Sequence, residues 1–276
     1  MIERRKKLAR YFFGSVLTIV AIAALLPFVW MFFSSFKTEG QLVGHPEQLV
    51  PSLWTIWAYS KVIEEIPFFR MVLNSIVFAG GVTFFSLLFD SAAGYALAKL
   101  PFPGRSVAFV LVLVTLMIPF QVIMVPLYLL IFNMKLLDTY AGLIIPRMTN
   151  AFGIYFMRQF FLTVPNELLD AGRMDGLSEF GIYVRISLSM TRAALATLGI
   201  FHFMYNWNDF LWPLLITNTQ LKQPLPVGLA LFQGEHSQDY TPILAGALLS
   251  ILPILVIFLF TQRSFMRGIA LSGIKG

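Results

Sequence analysis

The sequence predicts an all-α membrane protein with six transmembrane helices. Hydrophobic residues make up 58% of the 276 residues, charged residues only 12%, and the mean hydropathy is +0.77. Soluble domains usually contain about 25% charged residues. Six apolar runs, each near the roughly 20 residues that cross a bilayer, lie at about 11–33, 70–93, 107–132, 139–161, 191–216 and 241–262. No segment between them is long enough for a core of its own, so we predict a single membrane domain over residues 1–276.

The first run is predicted to be a membrane anchor. Five Lys and Arg residues lie within residues 1–10 and precede it, as in a signal peptide. A signal peptide, however, has an apolar core of about 7–15 residues, and this run is longer. The chain contains no cysteine, which excludes disulfides, thiol catalysis and cysteine-bound metals.

The distribution of basic residues predicts the orientation. Fourteen of the 20 Lys and Arg residues fall on the face that carries both termini, five fall on the opposite face, and Arg147 lies within a helix. Basic residues accumulate on the cytoplasmic side of membrane proteins. Both termini and the segment 162–190 are therefore expected to be cytoplasmic, in a multi-pass protein of the cytoplasmic membrane.

Two segments are expected on the outer face. Around Trp54 and Trp57, apolar residues recur at helical spacing between charged ones, which predicts an amphipathic helix. Such a helix lies in the membrane interface or contacts a soluble partner, and the sequence leaves both interpretations open. In the second segment, 218–240, prolines and glycines favour an ordered loop.

Pro119 and Pro126 are expected to kink the third helix beside Gln121. A freed backbone carbonyl cannot be satisfied by lipid, so this surface should face protein or a water-filled cavity. Proline kinks also occur in membrane helices that have no transport role, so the pattern alone does not assign one.

Arg147 and Asp209 are the two charges furthest from the predicted helix ends. Each lies roughly 10–12 Å below the outer end of its helix at 1.5 Å per residue, so equal depth and opposite sign permit an ion pair. The alternative is that Arg147 extends outward and that Asp209 lies among interfacial aromatic residues. Charges within a membrane suggest function. The candidates for the translocation path are Gln121, Arg147, Asn150, Asn206, Asn208 and Asp209.

The segment 162–190 is polar and is predicted to form two short helices joined by a turn. Pro165 suits the first position of a helix, and Glu167 and Asp170 suit its positively polarised start. Asp175-Gly176 predicts the turn, and Ser178 is a cap for the second helix. A knob of this kind is either a surface hairpin or a docking element.

These residues resemble the signature loop of permease subunits of binding-protein-dependent ATP-binding-cassette (ABC) importers. In that loop a Glu-Ala-Ala triplet, here Asp170-Ala171-Gly172, precedes an Asp-Gly pair, here Asp175-Gly176. The resemblance extends over the whole chain and points to the carbohydrate branch of the family, of the maltose type. It is carried further by Ala141-Gly142-Leu143, Arg158-Gln159-Phe160-Phe161, Trp207-Asn208-Asp209-Phe210-Leu211-Trp212-Pro213-Leu214, Gln262-Arg263-Ser264-Phe265, Arg267-Gly268 and Gly273-Ile274-Lys275-Gly276. The chain departs from the family pattern at Asp170, Gly172, Ser189 and Arg147.

The resemblance implies the type I ABC importer permease fold and a transport subunit that is not an enzyme. It assigns ATPase coupling to Glu167, Asp170, Ala171, Gly172, Asp175 and Gly176. The tail residues Arg263, Arg267 and Lys275 are candidate contacts to the same subunits, with a solvated basic tail as the alternative.

The implied partners are a second permease subunit, two cytoplasmic ATPase subunits and an extracellular or periplasmic binding protein, in a bacterial or archaeal membrane. ATP and Mg²⁺ would bind the ATPase subunits, and no cofactor would bind this chain. The implied solute is a sugar or oligosaccharide, with a sugar-related solute such as glycerol phosphate as the alternative.

The residues themselves agree with a subunit that has no chemistry of its own. The sequence contains no Gly-x-x-x-x-Gly-Lys-Ser/Thr phosphate loop and no Gly-x-Ser-x-Gly motif, and its three histidines lack metal-ligand spacing. An intramembrane hydrolase would need a nucleophile with a nearby base. A secondary transporter usually has inverted repeats and an ion site, and no internal repeat is evident.

Overall fold

The computed structural model describes residues 2–235 and 239–273, and every regular element within them is helical. This confirms the all-α class. The helices are α1 (Ile2–Ser34), α2 (Glu39–Gly44), α3 (Trp57–Glu65), α4 (Phe68–Lys99), α5 (Arg105–Leu116), α6 (Phe120–Asn133), α7 (Tyr140–Ile144), α8 (Ala151–Leu162), α9 (Asn166–Met174), α10 (Glu179–Ile182), α11 (Leu188–Met190), α12 (Arg192–Trp207), α13 (Leu211–Ile216), α14 (Leu225–Glu235) and α15 (Tyr240–Gly273).

The chain forms two compact units. One contains the residues up to Ile66 together with Leu229–Leu252, and the other contains Pro67–Gly228 together with the residues from Pro253. Helices α14 and α15 contribute to both. The single domain expected from the sequence stays a prediction.

In the first unit, α1 is apolar on all sides. Within Tyr11–Ser34, no residue of its 18-residue apolar window is buried by the rest of the chain. A helix that is hydrophobic all round is stable only where lipid or another protein covers it. This helix therefore has the character of the membrane anchor that the sequence predicts.

The amphipathic helix predicted around Trp57 is present as α3. Its apolar face packs inward, since Ala58 and Val62 are fully buried. Val62 lies beside Gly246 of α15 within the same unit. The helix is thus held by its own chain along one face, while Trp57 remains 45% exposed on the other.

The loop predicted over 218–240 was wrong for Leu225–Glu235, which form α14. Pro226 falls in the first turn of that helix, where its missing N–H would have had no intrahelical partner. The start of α14 is held by α4, because Ser75 Oγ accepts a hydrogen bond of 2.8 Å from Leu225 N. Asn74 Nδ2 also donates to the carbonyl oxygens of Leu221 and Gln223, at 3.0 and 2.9 Å.

The third predicted run is divided into α5 and α6, which meet at an angle of 98°. The break covers Met117–Pro119, and Pro119 precedes α6 with an extended conformation. The predicted kink at Pro119 is confirmed. Pro126 lies inside α6 and does not end it.

The continuous helices predicted over 139–161 and 191–216 were also wrong. In the first, a 3₁₀ turn (Ile145–Arg147) follows α7 and Asn150 caps α8, accepting a hydrogen bond from Phe152 N. In the second, Asn208 ends α12 and α13 begins at Leu211. Asparagine and aspartate compete for backbone hydrogen bonds, which favours caps over helix interiors.

By length and apolarity, α1 from Tyr11 and α4 are each able to span a membrane. The bent pairs α5–α6 and Glu179–Met190 with α12 each qualify as one span, which gives up to four spans among the described residues. The sixth predicted run lies within α15, and in the part of that helix whose side chains are described, Tyr240–Val256 is apolar.

A single carboxylate joins the α6–α7 connection to the residues after α13. Asp138, which has a φ of 56°, accepts hydrogen bonds through Oδ1 from the N–H groups of Asn218 and Thr219 at 3.0 and 3.1 Å. Its Oδ2 accepts a further hydrogen bond from Thr219 Oγ1 at 2.9 Å. Nothing in the sequence pattern identified this contact.

Candidate functional site: a helical knob and a polar cavity

The knob consists of α9, a tight turn and α10, as the sequence predicts. Gly176 in the turn has a φ of +79°, a left-handed conformation that glycine adopts without steric cost. Ser178 caps α10 by accepting a hydrogen bond of 3.2 Å from Gly181 N. A π-helical segment (Tyr183–Ser187) then leads to α11.

The inner face of the knob is small and apolar. Leu169 and Ile182 are buried and pack with Val164. Gly172 faces the π-helical segment that follows α10. A Cβ added at this glycine would be 2.7 Å from Ile186 Cδ1. A side chain no larger than alanine is therefore required at position 172.

The outer face of the knob combines acidic and apolar groups. Met174 is 88% exposed and Phe180 is 74% exposed, so two large apolar side chains lie beside the acidic ones on the surface of the knob. Five of the six residues predicted to couple to an ATPase are exposed on the knob, namely Glu167, Asp170, Ala171, Asp175 and Gly176. Gly172, the sixth, is buried.

Arg173 closes the two helices of the knob against each other. Its Nη1 lies 2.5 Å from Asp170 Oδ1, and its Nε lies 2.7 Å from Glu179 Oε1 across the turn. The hydrogen bond from Arg173 holds the pKa of the Glu179 carboxyl below its usual range, against the opposing effect of burial. The sequence analysis missed this role, although an acid three residues before a base on a helix is a known pairing.

The knob is attached to α4 at three points. Lys99 Nζ donates to Val164 O at 2.6 Å and to Asn166 Oδ1 at 2.8 Å, which fixes the start of α9. Tyr95 Oη donates to Glu179 Oε2 at 3.3 Å. Tyr183, beyond α10, shares a hydrogen bond of 2.7 Å with Ser91.

The polar cavity, which is named for the polar residues in its mainly apolar wall, has a volume of about 720 Å³ and lies between α5, α6, α8 and α12. Three of the predicted path residues, Arg147, Asn150 and Asn206, line it, and so does Pro119. Gln121 lies in the first turn of α6, is exposed and is not among the lining residues. Asn208 and Asp209 line a second, open cavity of about 730 Å³ along α12 and α13.

Arg147 and Asp209 form the ion pair that the sequence left open. Arg147 Nη2 lies 2.7 Å from Asp209 Oδ2, and the two side chains are 9% and 12% exposed. The guanidinium also lies over the ring of Phe120, 4.4 Å from its centroid. Among the described residues that line the 720 Å³ cavity, Arg147 alone has a fixed charge, and Asp209 neutralises it.

The amides on α12 have different surroundings. Asn206 is 3% exposed; its Nδ2 donates to His202 O at 2.7 Å, and its Oδ1 is buried without a partner in the structure. Asn208 is exposed and donates to Met204 O. A buried amide oxygen beside a cavity is suited to accept a hydrogen bond from a solute hydroxyl.

The tail candidates receive no test from the geometry. Arg263 and Arg267 belong to α15, but their side chains lie outside the part of the chain described in atomic detail, and Lys275 lies outside the described residues. Among residues 2–235 and 239–273, no group of three potential metal ligands comes together.

A polar cluster around the buried Asp90 was not predicted from the sequence. Asp90 is fully buried on α4. Its Oδ1 accepts hydrogen bonds from Thr149 Oγ1 at 2.7 Å and Asn150 N at 2.9 Å, and its Oδ2 lies 3.1 Å from His202 Nε2. A Cβ at Gly153 would be 2.0 Å from Asp90 Oδ2, so this glycine leaves the space that the carboxylate occupies. Two signals were available: an aspartate in an apolar run and a histidine in another.

Helices of membrane-spanning character, two of them broken beside a polar cavity, together with a knob that exposes acidic and apolar groups, define a membrane transport subunit. The chain matches the family of binding-protein-dependent transport system inner membrane components over residues 90–267, and it belongs to that family. The matched residues include the knob, the ion pair and the Asp90 cluster.

Similar proteins are described as transport system permease proteins. The chain is 35% identical to the arabinooligosaccharides transport system permease protein AraQ of Halalkalibacterium halodurans, over 93% of each chain. It is 33% identical to the sn-glycerol-3-phosphate transport system permease protein UgpE of Escherichia coli O1:K1, over 98% of each. A solved bacterial ABC transporter involved in the import of the acidic polysaccharide alginate contains a chain with a TM-score of 0.82 and 26% identity. That match covers 95% of this chain and 98% of the other, and it confirms the ABC importer permease fold.

Proposed function

We propose that this chain is a permease subunit of an ATP-driven importer that takes up an uncharged sugar or oligosaccharide delivered by an extracellular binding protein. The observation that carries the choice of solute is the neutralised Arg147. With Asp209 at 2.7 Å, the cavity wall offers hydrogen-bond donors and acceptors without an unpaired fixed charge. Such a wall suits hydroxyl groups better than it suits a phosphate or a carboxylate.

Membership of the family supports a permease subunit, and the name of one relative supports an uncharged sugar. One relative is named for arabinooligosaccharides, and another is named for sn-glycerol-3-phosphate. The second name keeps glycerol phosphate as the alternative solute. For that alternative, the guanidinium of Arg147 would have to exchange Asp209 for the phosphate when the solute enters.

The knob supports coupling to separate ATPase subunits. Its outer face exposes Glu167, Asp170 and Met174, and its inner face is fixed to α4 through Lys99. When a partner surface moves the knob, α4 must move with it. Nucleotide binding and hydrolysis on the partner subunits then bias the permease between two states, and this chain itself performs no catalysis.

The proposed assembly rests on membership of the same family. The chain has six spans with both termini in the cytoplasm of a bacterium or archaeon, and it forms a heterodimer with a second permease subunit. ATP and Mg²⁺ bind the two ATPase subunits. The roles of Gln121, Asn150, Asn206 and Asn208 in the translocation path, and of Arg263, Arg267 and Lys275 as ATPase contacts, belong to this proposal.

The solute is tested with the cognate binding protein. Thermal-shift measurements with mono-, di- and oligosaccharides, and with glycerol phosphates as the charged arm, should show stabilisation by an uncharged sugar. Stabilisation by glycerol phosphates alone would overturn the choice of solute. Uptake by the reconstituted complex should also stop when ATP is withheld, and uptake without ATP would instead indicate a secondary transporter.

Coupling is tested by substitution in the knob. Glu167→Ala and Gly176→Val should each reduce co-purification of the ATPase subunits and ATP-dependent uptake, because one removes an exposed carboxylate and the other strains a left-handed turn. Glu64→Ala, an exposed carboxylate on α3, is the matched control. If both knob variants bind the ATPase and transport normally, the knob is not the coupling element.

A further inference from the structure

We propose that Asp90 is a positioning residue for transport, which holds the two broken segments on either side of the 720 Å³ cavity as one unit through Thr149, Asn150 and His202. This inference rests on the proposed function, because it takes that cavity to be part of the translocation path.

The helical structure is broken between the 3₁₀ turn and α8. The backbone there leaves helical hydrogen bonding at residues 148–150, and lipid cannot supply replacement partners. Helix α4 supplies them. Ser86 Oγ donates to Arg147 O at 3.2 Å, and one turn later Asp90 accepts from Thr149 Oγ1 and Asn150 N.

Asp90 also contacts α12. The remaining oxygen of Asp90 faces His202 Nε2 at 3.1 Å, and His202 also lines the cavity. His202 lies one turn before Asn206, whose amide donates back to the His202 carbonyl. The carboxylate therefore connects the wall formed by Arg147 and Asn150 with the wall formed by Asn206.

The two broken segments are joined at two separate points. Asp90 joins them through Thr149 and Asn150 on one side and His202 on the other, and the Arg147–Asp209 ion pair joins them again. Two separate contacts fix the orientation of one segment relative to the other more firmly than a single contact does. The space at Gly153 admits the carboxylate but not a Cβ, so the arrangement tolerates little displacement.

The consequence is that the two walls of the cavity should change position together when the permease changes state. Without Asp90, Thr149 Oγ1, Asn150 N–H and His202 Nε2 would lose their shared acceptor. The Arg147–Asp209 ion pair would then join the two walls without this second connection, and the shape of the cavity would follow the nucleotide state of the complex less closely.

The test uses the full complex with its ATPase subunits, in lipid nanodiscs, with no cysteine in any subunit. The chain itself has none, so Ile154→Cys on the α8 side of the cavity provides one reporter thiol. The probe is methanethiosulfonate ethylammonium. Its labelling rate is measured without nucleotide and with ATP and vanadate.

The parent complex should show two distinct labelling rates, and Asp90→Ala should reduce their ratio by about fivefold or more, as expected when a conformational bias is lost. Asp90→Asn should keep the ratio, because its amide oxygen still accepts from Thr149 and Asn150 and its NH₂ donates to neutral His202. Thr83→Ala is the control on the same helix, since that hydroxyl donates to Ala79 O within α4 itself. A purely structural role would lower the amount of assembled complex and leave the ratio in the remaining complex unchanged.

If Asp90→Ala does not assemble, Thr149→Val removes one of the three contacts while keeping the shape, and a smaller fall in the ratio is expected. An unchanged ratio in assembled Asp90→Ala or Thr149→Val would overturn the inference while the proposed function stands. A loss in Asp90→Asn as large as in Asp90→Ala would also overturn it, because the charge and not the geometry would then matter. A parent complex with one labelling rate in both nucleotide states would contradict the proposed function itself.

Discussion

Arg147 and Asp209 join two helix breaks through an ion pair of 2.7 Å that is largely withdrawn from solvent. One residue ends the 3₁₀ turn before α8, and the other lies between α12 and α13. Removing one partner of a buried ion pair typically costs about 3–5 kcal/mol, because the other charge stays buried and uncompensated.

We therefore expect Arg147→Gln and Asp209→Asn each to reduce uptake at normal protein levels. The exchange of the two charges, Arg147→Asp with Asp209→Arg, should restore part of it. Radiolabelled sugar uptake by cells expressing the complex measures this, with immunoblots as the control for protein level. A doubly exchanged protein no better than either single variant would argue against a functional pair.

Two glycines in the matched segment should respond differently to alanine. In Gly153→Ala the new Cβ would lie 2.0 Å from Asp90 Oδ2, and overpacking of this kind typically costs about 1–3 kcal/mol. In Gly172→Ala the nearest atom is the flexible Ile186 Cδ1 at 2.7 Å, and alanine favours the helix by up to about 1 kcal/mol. Thermal unfolding of the purified complex should show a lower Tm for the first variant and an equal or higher Tm for the second. A lower Tm for Gly172→Ala would mean that the knob is packed more rigidly than its contacts indicate.

The carboxylate of Asp138 should contribute stability that is lost in acid. Burial raises the pKa of this group, but hydrogen bonds from Thr219 and Asn218 outweigh that effect and hold the pKa below its usual range. A lowered pKa in the folded state means that the contribution is present above the unfolded value of about 3.9 and disappears as the pH falls through the folded pKa.

We expect Asp138→Ala to lower the free energy of unfolding by about 1–2 kcal/mol at neutral pH, a value reduced for partial exposure. The difference from the parent protein should shrink below pH 4. Asp138→Asn, which tolerates the positive φ and keeps one acceptor oxygen, is the matched variant. Equal stability of all three proteins at pH 7 would show that the contact contributes nothing.

Arg173 should matter for docking more than for folding. Its two carboxylate partners lie on the exposed surface of the knob, where ion pairs stabilise weakly, so Arg173→Gln should leave Tm nearly unchanged. Because the pair with Glu179 connects α9 to α10, the affinity of the purified complex for its ATPase subunits should fall several-fold. Arg185→Gln, in the π-helical segment beyond the knob, is the control for loss of a positive charge. A comparable loss in both variants would assign the effect to net charge.

The knob was predictable because its structure is local. Pro165, Gly176 and Ser178 act through the backbone conformation of their immediate neighbours, and the structure contains the two helices and the turn they predict. The helix breaks were harder to predict, since hydropathy is nearly the same on both sides of residues 148–150 and 208–210. Of these breaks, only the one at Pro119 could be predicted from the sequence, because proline disrupts a helix.

The Asp90 cluster could not be predicted from the sequence for a different reason. Its partners Thr149, Asn150 and His202 are separated from it by 59, 60 and 112 residues. A single sequence carries no signal for contacts of that range. Their polarity within apolar runs marks each as unusual without showing that they meet. The pairing of Arg147 with Asp209 was weighed from depth and sign alone, which permits the contact but does not choose it over interfacial placement.

The uninterrupted course of α4 has a mechanical consequence. At one end Lys99 holds the knob, and 25 positions earlier Asn74 holds the carbonyl groups of Leu221 and Gln223. At 1.5 Å per residue the two anchor points are about 37 Å apart along one helix, and α4 has no break between them. A displacement of the knob is therefore transmitted to the loop that contains Leu221 and Gln223, because α4 has no break at which it could bend. The conformational change that transport requires must then occur at the breaks in the helices around the cavity.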